Sequence, residues 1–290
     1  MKQLLILSGK GGTGKTTIAS AFIKLADAKA FADCDVDAPN LHLLMNRSIE
    51  LELTDFYGMD KAYIDQESCI SCGVCKKHCN FDAINYDEKE DKYLIDEYAC
   101  EGCGLCKYIC PSDAIAMNSS IVGDLMLYKD ASTFSTAKLR MGSGNSGLLV
   151  TEVKKRMALK DSKADLVIID GSPGIGCPVI ASITGVDMVL VVAEPSVSGI
   201  SDLERVVATA DHFNTPVAVC VNKWDINPKN TQAIEDFCKD LKLAFVGKIP
   251  FDSEAVRAIN KGLTIVDIEC ESGKNTRVVY ENTIKILNDK

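Results

Sequence analysis

Two groups of side chains in this 290-residue chain have types and spacings suited to chemistry. Near the start, Gly9-Lys10-Gly11-Gly12-Thr13-Gly14-Lys15-Thr16 fits G-x-x-x-x-G-K-[ST], and Thr17 follows. Glycines let a backbone turn tightly enough for several N–H groups to face one anion. A helix after the turn adds the positive end of its dipole. Such a loop cradles nucleotide phosphates. Lys15 is placed to reach the β- and γ-phosphate oxygens, and the Thr16 hydroxyl to hold Mg²⁺. The bland alternative, a ligand-free glycine turn, is disfavoured by the apolar run before it and the helical spacing after it.

The second group is the cysteines. Eight of the thirteen lie between Cys69 and Cys110. In a reducing compartment, clustered thiols bind metal in preference to forming disulfides. C-x2-C-x2-C-x3-C occurs twice, as Cys69, Cys72, Cys75, Cys79 and as Cys100, Cys103, Cys106, Cys110. This is bacterial ferredoxin spacing. Three near cysteines take three irons of a [4Fe–4S] cube, and the fourth of each run crosses to the other cube. Cys69, Cys72, Cys75 and Cys110 are thereby assigned to one cluster, and Cys79, Cys100, Cys103 and Cys106 to the other. Gly73 and Gly104 would let backbone N–H groups approach cluster sulfur. Pro111 follows Cys110 as the spacing expects, whereas Asn80 takes that place in the first run. Proline is no ligand, so the site is expected to survive the change. A pair of zinc sites is the competing reading, but zinc usually takes two separated pairs of ligands. His78 falls inside a run and could hydrogen-bond there; His42 and His212 read as helix-surface or core residues. Of the five scattered cysteines (Cys34, Cys177, Cys220, Cys238, Cys270), Cys177 and most others read as small core residues.

The elements that must position these groups alternate. "QLLILS" and "KAFAD" read as the first two strands, and "DLVIID", "MVLVVAEP", "VAVCVNKWD" and "LAFVGKIPFD" are apolar, β-branched runs, with helix-like stretches between them. That rhythm predicts an α/β fold, a mostly parallel sheet with helices on both faces. A small α+β insert interrupts it over residues 62–118, leaving 1–61 and 119–290 as one discontinuous domain. The insert is a repeat: Cys69 to Cys79 matches Cys100 to Cys110, and Asp82-Ala83-Ile84 matches Asp113-Ala114-Ile115. Each copy is too small to fold alone. The stretch 128–147, rich in Gly, Ser and Thr, reads as a loop, either mobile or ligand-binding. The amphipathic end, "NTRVVYENTIKILNDK", is expected to pack on the sheet, a membrane tail being the weaker reading.

A net charge of −9 argues against non-specific binding to nucleic acid or anionic lipid. Lys154-Lys155-Arg156 reads as a solvated helix face. Neither a signal peptide nor a membrane-spanning run is visible, so a cytoplasmic location without stable membrane insertion is expected.

"KGGTGKT" resembles the deviant Walker A motif of the ATPase family that includes the septum-site protein MinD, partition ATPases, Mrp-type ATPases and the nitrogenase iron protein. In that family the early lysine, here Lys10, reaches a neighbour's nucleotide across a dimer interface. Such a cation can be worth about 10³–10⁵ in rate. "DCDVDAPN" resembles the first switch: Asp35 stands for the water-orienting carboxylate, with Asp33 and Asn40 nearby. "DGSPG" resembles the second, where Asp170 would hold Mg²⁺ through its water shell, jointly with Thr16 and Asp35, and Gly174 would sense the γ-phosphate. The resemblance implies Lys10, Lys15 and Asp35 as catalytic residues. Asn222 to Asp225, N-K-x-D, taken alone suggests guanine. "IPFD", with Pro250 and Asp252, resembles the family's adenine-side loop and favours ATP.

The resemblance spans 1–60 and 119–290, and the chain is most similar to MinD-like ATPases with an inserted ferredoxin domain. It implies ATP, Mg²⁺ and two [4Fe–4S] clusters as cofactors. It also implies a homodimer, or a heterodimer with a similar ATPase, and a redox or metallocofactor protein as partner. Three functions compete: ATP-gated electron transfer, cluster assembly or insertion of Mrp type, and MinD-like spatial regulation. The closed four-cysteine sites favour the first.

Overall fold

The computed structural model describes residues 1–44, 50–129, 131–160 and 164–289. In chain order the elements are β1 (Lys2–Leu7), α1 (Lys15–Leu25), β2 (Ala30–Asp33), β3 (Glu50–Tyr57), β4 (Lys61–Ile64), α2 (Val74–Lys77), β5 (Ile84–Asp87), β6 (Lys92–Ile95), α3 (Leu105–Tyr108) and β7 (Ile115–Asn118). There follow β8 (Ile121–Lys129), β9 (Thr133–Leu139), α4 (Ser146–Lys160), β10 (Leu166–Asp170), α5 (Cys177–Ile183), β11 (Met188–Ala193), α6 (Val197–His212), β12 (Val217–Asn222), α7 (Pro228–Asp240), β13 (Ala244–Ile249), α8 (Ser253–Asn260) and α9 (Glu271–Asn288).

Among the described residues, nine strands form one sheet in the order β13-β12-β11-β1-β10-β2-β9-β8-β3. From β13 to β9 every pairing is parallel; β8 and β3 extend it antiparallel. The expected α/β architecture is what the chain adopts. Successive residues of a strand face opposite sides, and β1 shows the consequence. Leu5 and Leu7 join one core with Val150, Val179, Leu203 and Ile234 of α4, α5, α6 and α7. Leu4 and Ile6 join the other with Phe22 of α1 and Val279 of α9. Buried on both faces, such strands read as continuous apolar runs. The C-terminal helix packs as expected: Tyr280 meets Phe22 edge to face at 5.1 Å. Lys290 lies outside the described residues. Among those described, no helix is long and apolar enough to cross a membrane.

Two readings of the sequence need correction here. The 128–147 stretch is not one loop: it holds the end of β8, all of β9 and the start of α4, with Asp130 outside the described residues. Thr133, Ser135 and Thr136 of β9 are buried in the sheet interior, where the β-branched threonines suit the pleat and Ser135 Oγ donates to the Val153 carbonyl at 2.8 Å. Lys154 is not solvated. Its ammonium reaches the carbonyls of Ala181, Ser182 and Thr184 at 3.2, 2.7 and 2.6 Å, satisfying the open end of α5. Burial pulls its pKa below the ordinary lysine value.

Residues 61–118 carry two small sheets of their own, in which the two sequence repeats interlock. β4 of the first copy pairs with β7 of the second, and β5 of the first with β6 of the second. Matching backbone follows: Gly73 and Gly104 both have φ near +73°, and Asp82 and Asp113 have φ of 50° and 52°.

Phe134 of β9 stacks between Phe31 (5.0 Å) and Tyr128 (5.2 Å) and is 1% exposed. Phe134→Ala is expected to cost about 3–5 kcal/mol in chemical denaturation; a loss below about 1 kcal/mol would show that β9 is not part of this core.

Candidate functional site

Because β1, β2, β10, β11, β12 and β13 run parallel, their following loops meet at one edge, where sheets of this kind bind ligands. The loop after β1 is the glycine-rich turn. Gly14 has φ of +92°, a conformation that favours glycine, and a Cβ there would fall 2.3 Å from Asn222 Nδ2. Gly9 backs onto Asp202 of α6, where a Cβ would also collide, while Gly11 and Gly12 face open space. Thr16 and Thr17 stand in the first turn of α1.

Lys15 is buried and its ammonium bonds Asp170 Oδ1 at 2.5 Å. Parallel register sets Asp33 beside Asp170, so two acidic strand ends converge on one lysine. Burial alone would lower the Lys15 pKa, but Asp170, then Asp33 and Asp35, raise it overall, so it carries its charge. Burial, with the neighbouring Asp170, pushes the Asp33 carboxyl up to about 7. Asp35, half-buried, is also raised by burial. Asp33 shapes the loop after β2 by accepting the N–H groups of Asp35, Asn40 and Leu41 at 3.0, 3.1 and 3.0 Å. Asp170 Oδ2 is buried without a hydrogen-bond partner, as is the Thr13 hydroxyl. An orphaned carboxylate oxygen beside a phosphate-type loop suits a hydrated divalent cation. Gly174, φ +93°, donates its N–H to the Ser8 carbonyl at 3.0 Å, and Cys34 N–H reaches the Asp170 carbonyl at 2.7 Å. The loops after β1, β2 and β10 are thus stitched together.

Lys10 folds back on its own chain, onto Glu194 (3.1 Å), Ser196 (3.1 Å) and Ser198 (3.1 Å). Although partial burial acts upward, Lys10 and Lys223 hold the Glu194 carboxyl below its usual range. Sequence reasoning missed Glu194 and met Lys223 only as part of N-K-x-D; the signal in both is a charged residue directly after an apolar strand. Asn222 braces the turn, donating to the Thr13 carbonyl at 2.7 Å. Asp225 accepts the Phe251 N–H at 2.7 Å. Pro250 follows β13, and Asp252 caps α8 and ties it to α9 through the N–H groups of Glu254 (2.9 Å) and Ser272 (3.2 Å).

The eight clustered cysteines ring two recesses. One is lined by Cys69, Cys72, Cys75 and Cys110. The other is lined by Cys79, Cys100, Cys103 and Cys106. The fourth thiol of each run therefore sits with the other run, as interlocked strands require. Among the described residues, no three His, Cys, Asp or Glu side chains converge closely enough to hold a single metal ion. His78 Nδ1 pairs with the Val74 carbonyl at 3.0 Å. Cys177 corrects the expectation of a small core residue: it is exposed at the start of α5, because the loop after β10 ends there at the surface. Cys34, Cys220, Cys238 and Cys270 are buried.

The profile described as "CobQ/CobB/MinD/ParA nucleotide binding domain" matches residues 4–265. The chain belongs to that family. An uncharacterized protein of Methanocaldococcus jannaschii is 34% identical over 96% of this chain and 95% of its own length. An iron-sulfur cluster carrier protein of the same organism is 22% identical over 43% of this chain and 48% of its own. The CobQ/CobB/MinD/ParA fold is also seen in the Mg-ADP complex of the septum site-determining protein MinD from Pyrococcus horikoshii. Its TM-score is 0.59 at 16% identity, covering 98% of this chain and 96% of that one.

The raised Asp33 pKa carries a pH signature. An unfolded aspartate titrates near 3.9, so the folded chain binds an extra proton between about 4 and 7. Stability in metal-free buffer should therefore fall as pH rises through that window and level off above it. Urea denaturation of the wild type and of Asp33→Asn tests this. The variant should lose most of the slope; equal slopes would place the carboxyl at its ordinary value.

Proposed function

We propose that this protein is a Mg²⁺-dependent ATPase that couples nucleotide-driven switching, or dimerisation, to two [4Fe–4S] clusters in electron transfer or metallocofactor handling. The observation that carries this reading is two four-thiol recesses in one chain with a lysine-and-aspartate phosphate edge.

On the nucleotide side, the N–H groups of Gly9 to Thr17 would surround the phosphates. Lys15 would exchange Asp170 for β- and γ-phosphate oxygens. Thr16, Asp35 and Asp170 would hold hydrated Mg²⁺, which supplies charge neutralisation at the phosphates. Asp35 would orient the attacking water, and Gly174 would register the γ-phosphate. Lys10, released from Glu194, would reach the partner's nucleotide. Asn222 and the backbone at Pro250 would flank the base. Asp225, the carboxylate of N-K-x-D, is tied to the Phe251 N–H, which supports ATP over GTP.

On the thiol side, a lone zinc ion needs four ligands at about 2.0–2.3 Å from one point. Thiols ringing a recess suit a cube, each iron taking one cysteine. The small unit's buried apolar core is itself partly thiol, with Cys75 and Cys100 beside Ala62, Ile64, Ala83, Ile84 and Ile115. Such a core needs the bound group to complete it. The partial similarity to an iron-sulfur cluster carrier protein favours a second reading, a cluster assembly or insertion factor. The MinD-like fold keeps a third, spatial regulation.

Anaerobic purification with iron and sulfide analysis tests the thiol side. About eight irons per chain are expected for two cubes, with the paramagnetic spectrum of the reduced protein altered by MgATP. Zinc without iron would overturn the cluster reading. Iron with a nucleotide-blind spectrum would overturn the coupling. Chelation of the iron should unfold residues 61–118 while the parallel sheet stays folded, readable by limited proteolysis.

A further inference from the structure

Strand register sets the cysteine unit on the same side of the sheet as the glycine-rich turn. β9 is parallel to β2, so its end lies at the carboxyl edge, and β8 starts there, with Gly123 opposite Leu139. The chain leaves for the unit and returns at this point, where Gly58 N–H meets the Ser120 carbonyl at 3.2 Å.

One of the two cysteine loops is gripped from below. At Gly142 a Cβ would fall 3.0 Å from the Tyr98 ring, and at Gly144 3.2 Å from the Glu101 carboxylate. Gly102 presses on Met59 and Asp60, where a Cβ would fall 2.4 Å from the Asp60 carbonyl oxygen. The buried Lys61 ammonium donates to the Cys100 carbonyl. Asn145, in the left-handed region at φ +74°, accepts the Met59 N–H at 3.3 Å. The loop carrying Cys100 and Cys103 therefore rests on 59–61 and 140–145. The equivalent loop of the first run leans on its own unit instead: Gly73 abuts Tyr93, and Ser71 donates to the Asp91 carbonyl at 3.2 Å.

Helix α4 grows straight out of 140–145, with Leu149 N–H bonded to the Asn145 carbonyl at 3.0 Å. It also holds α5 at both ends: Gly147 lies so close that a Cβ would be 3.3 Å from Cys177 Cβ, and Lys154 binds the last carbonyls. α5 begins where the loop after β10 stops, and that loop is pinned to the glycine-rich turn through Gly174 and Ser8. Interlocked helices shift as bodies and do not deform smoothly.

We propose that α4, with α5 clasped to it, is a lever that carries movement of the 170–176 loop to the recess of Cys79, Cys100, Cys103 and Cys106 and bypasses the recess of Cys69, Cys72, Cys75 and Cys110. The proposal rests on the nucleotide reading above and names which thiol site the nucleotide addresses. Lys154 and Asn145 are its positioning residues.

Hydrogen exchange on the anaerobically purified full chain, with and without Mg²⁺ and a non-hydrolysable ATP analogue, tests it. Residues 9–17 should become protected, and exchange at 98–104 should change by about threefold or more while 69–76 stays constant. Asn145→Gly, which keeps the backbone conformation, and Lys154→Met should each abolish the change at 98–104 and leave protection at 9–17. A silent 98–104 beside a protected 9–17 overturns the lever. So does an equal response at 69–76, or full transmission in Asn145→Gly. No protection at 9–17 in the wild type would instead remove the nucleotide reading, and the lever with it.

Discussion

One buried ammonium holds the nucleotide edge together. Parallel pairing forces Asp33 and Asp170 side by side at the ends of neighbouring strands, and Asp35 follows two residues on. Buried like charges repel, so these carboxylates need a cation, and Lys15 supplies it. Removing one partner of a buried pair typically costs about 3–5 kcal/mol, since the other charge is left uncompensated. On the proposed nucleotide reading, phosphate oxygens would replace Asp170 on Lys15, and the metal would replace Lys15 on Asp170. The loops stitched to this group through Ser8, Cys34 and Gly174 would feel that exchange first.

The cysteine unit is placed by the same sheet. Its stem is the antiparallel extension β3–β8–β9, whose open end coincides with the carboxyl edge. A module inserted at the opposite end of β3 and β8 would lie a strand's length away. The interlocking of its repeats explains why each recess draws a thiol from both copies, and why neither half could be stable alone.

Much of this was legible in the sequence. The runs that became β1, β10, β11 and β12 are apolar throughout because they are buried on both faces, and a sheet of that kind advertises itself. G-x-x-x-x-G-K-T and the doubled cysteine spacing are local patterns, so the tight turn before α1 and the grouping of the eight thiols could be read too. β9 was hidden. Ser132, Thr133, Ser135 and Thr136 look like loop residues until tertiary packing buries them. Lys154 was hidden for a related reason: its three carbonyl partners are about thirty residues away, and no local pattern records them. Cys177 misled because small thiols are usually buried, whereas its place is decided by where the loop after β10 surfaces.

Calorimetric binding of MgATP to the wild type and to Lys15→Met tests the central claim most directly, with circular dichroism confirming that both are folded. Saturable binding to the wild type is expected, weakened at least about tenfold in the variant, the size of one lost charge-assisted hydrogen bond. Equal affinity in the two proteins would contradict the account, since phosphate would then be held without the ammonium on which the whole edge is built.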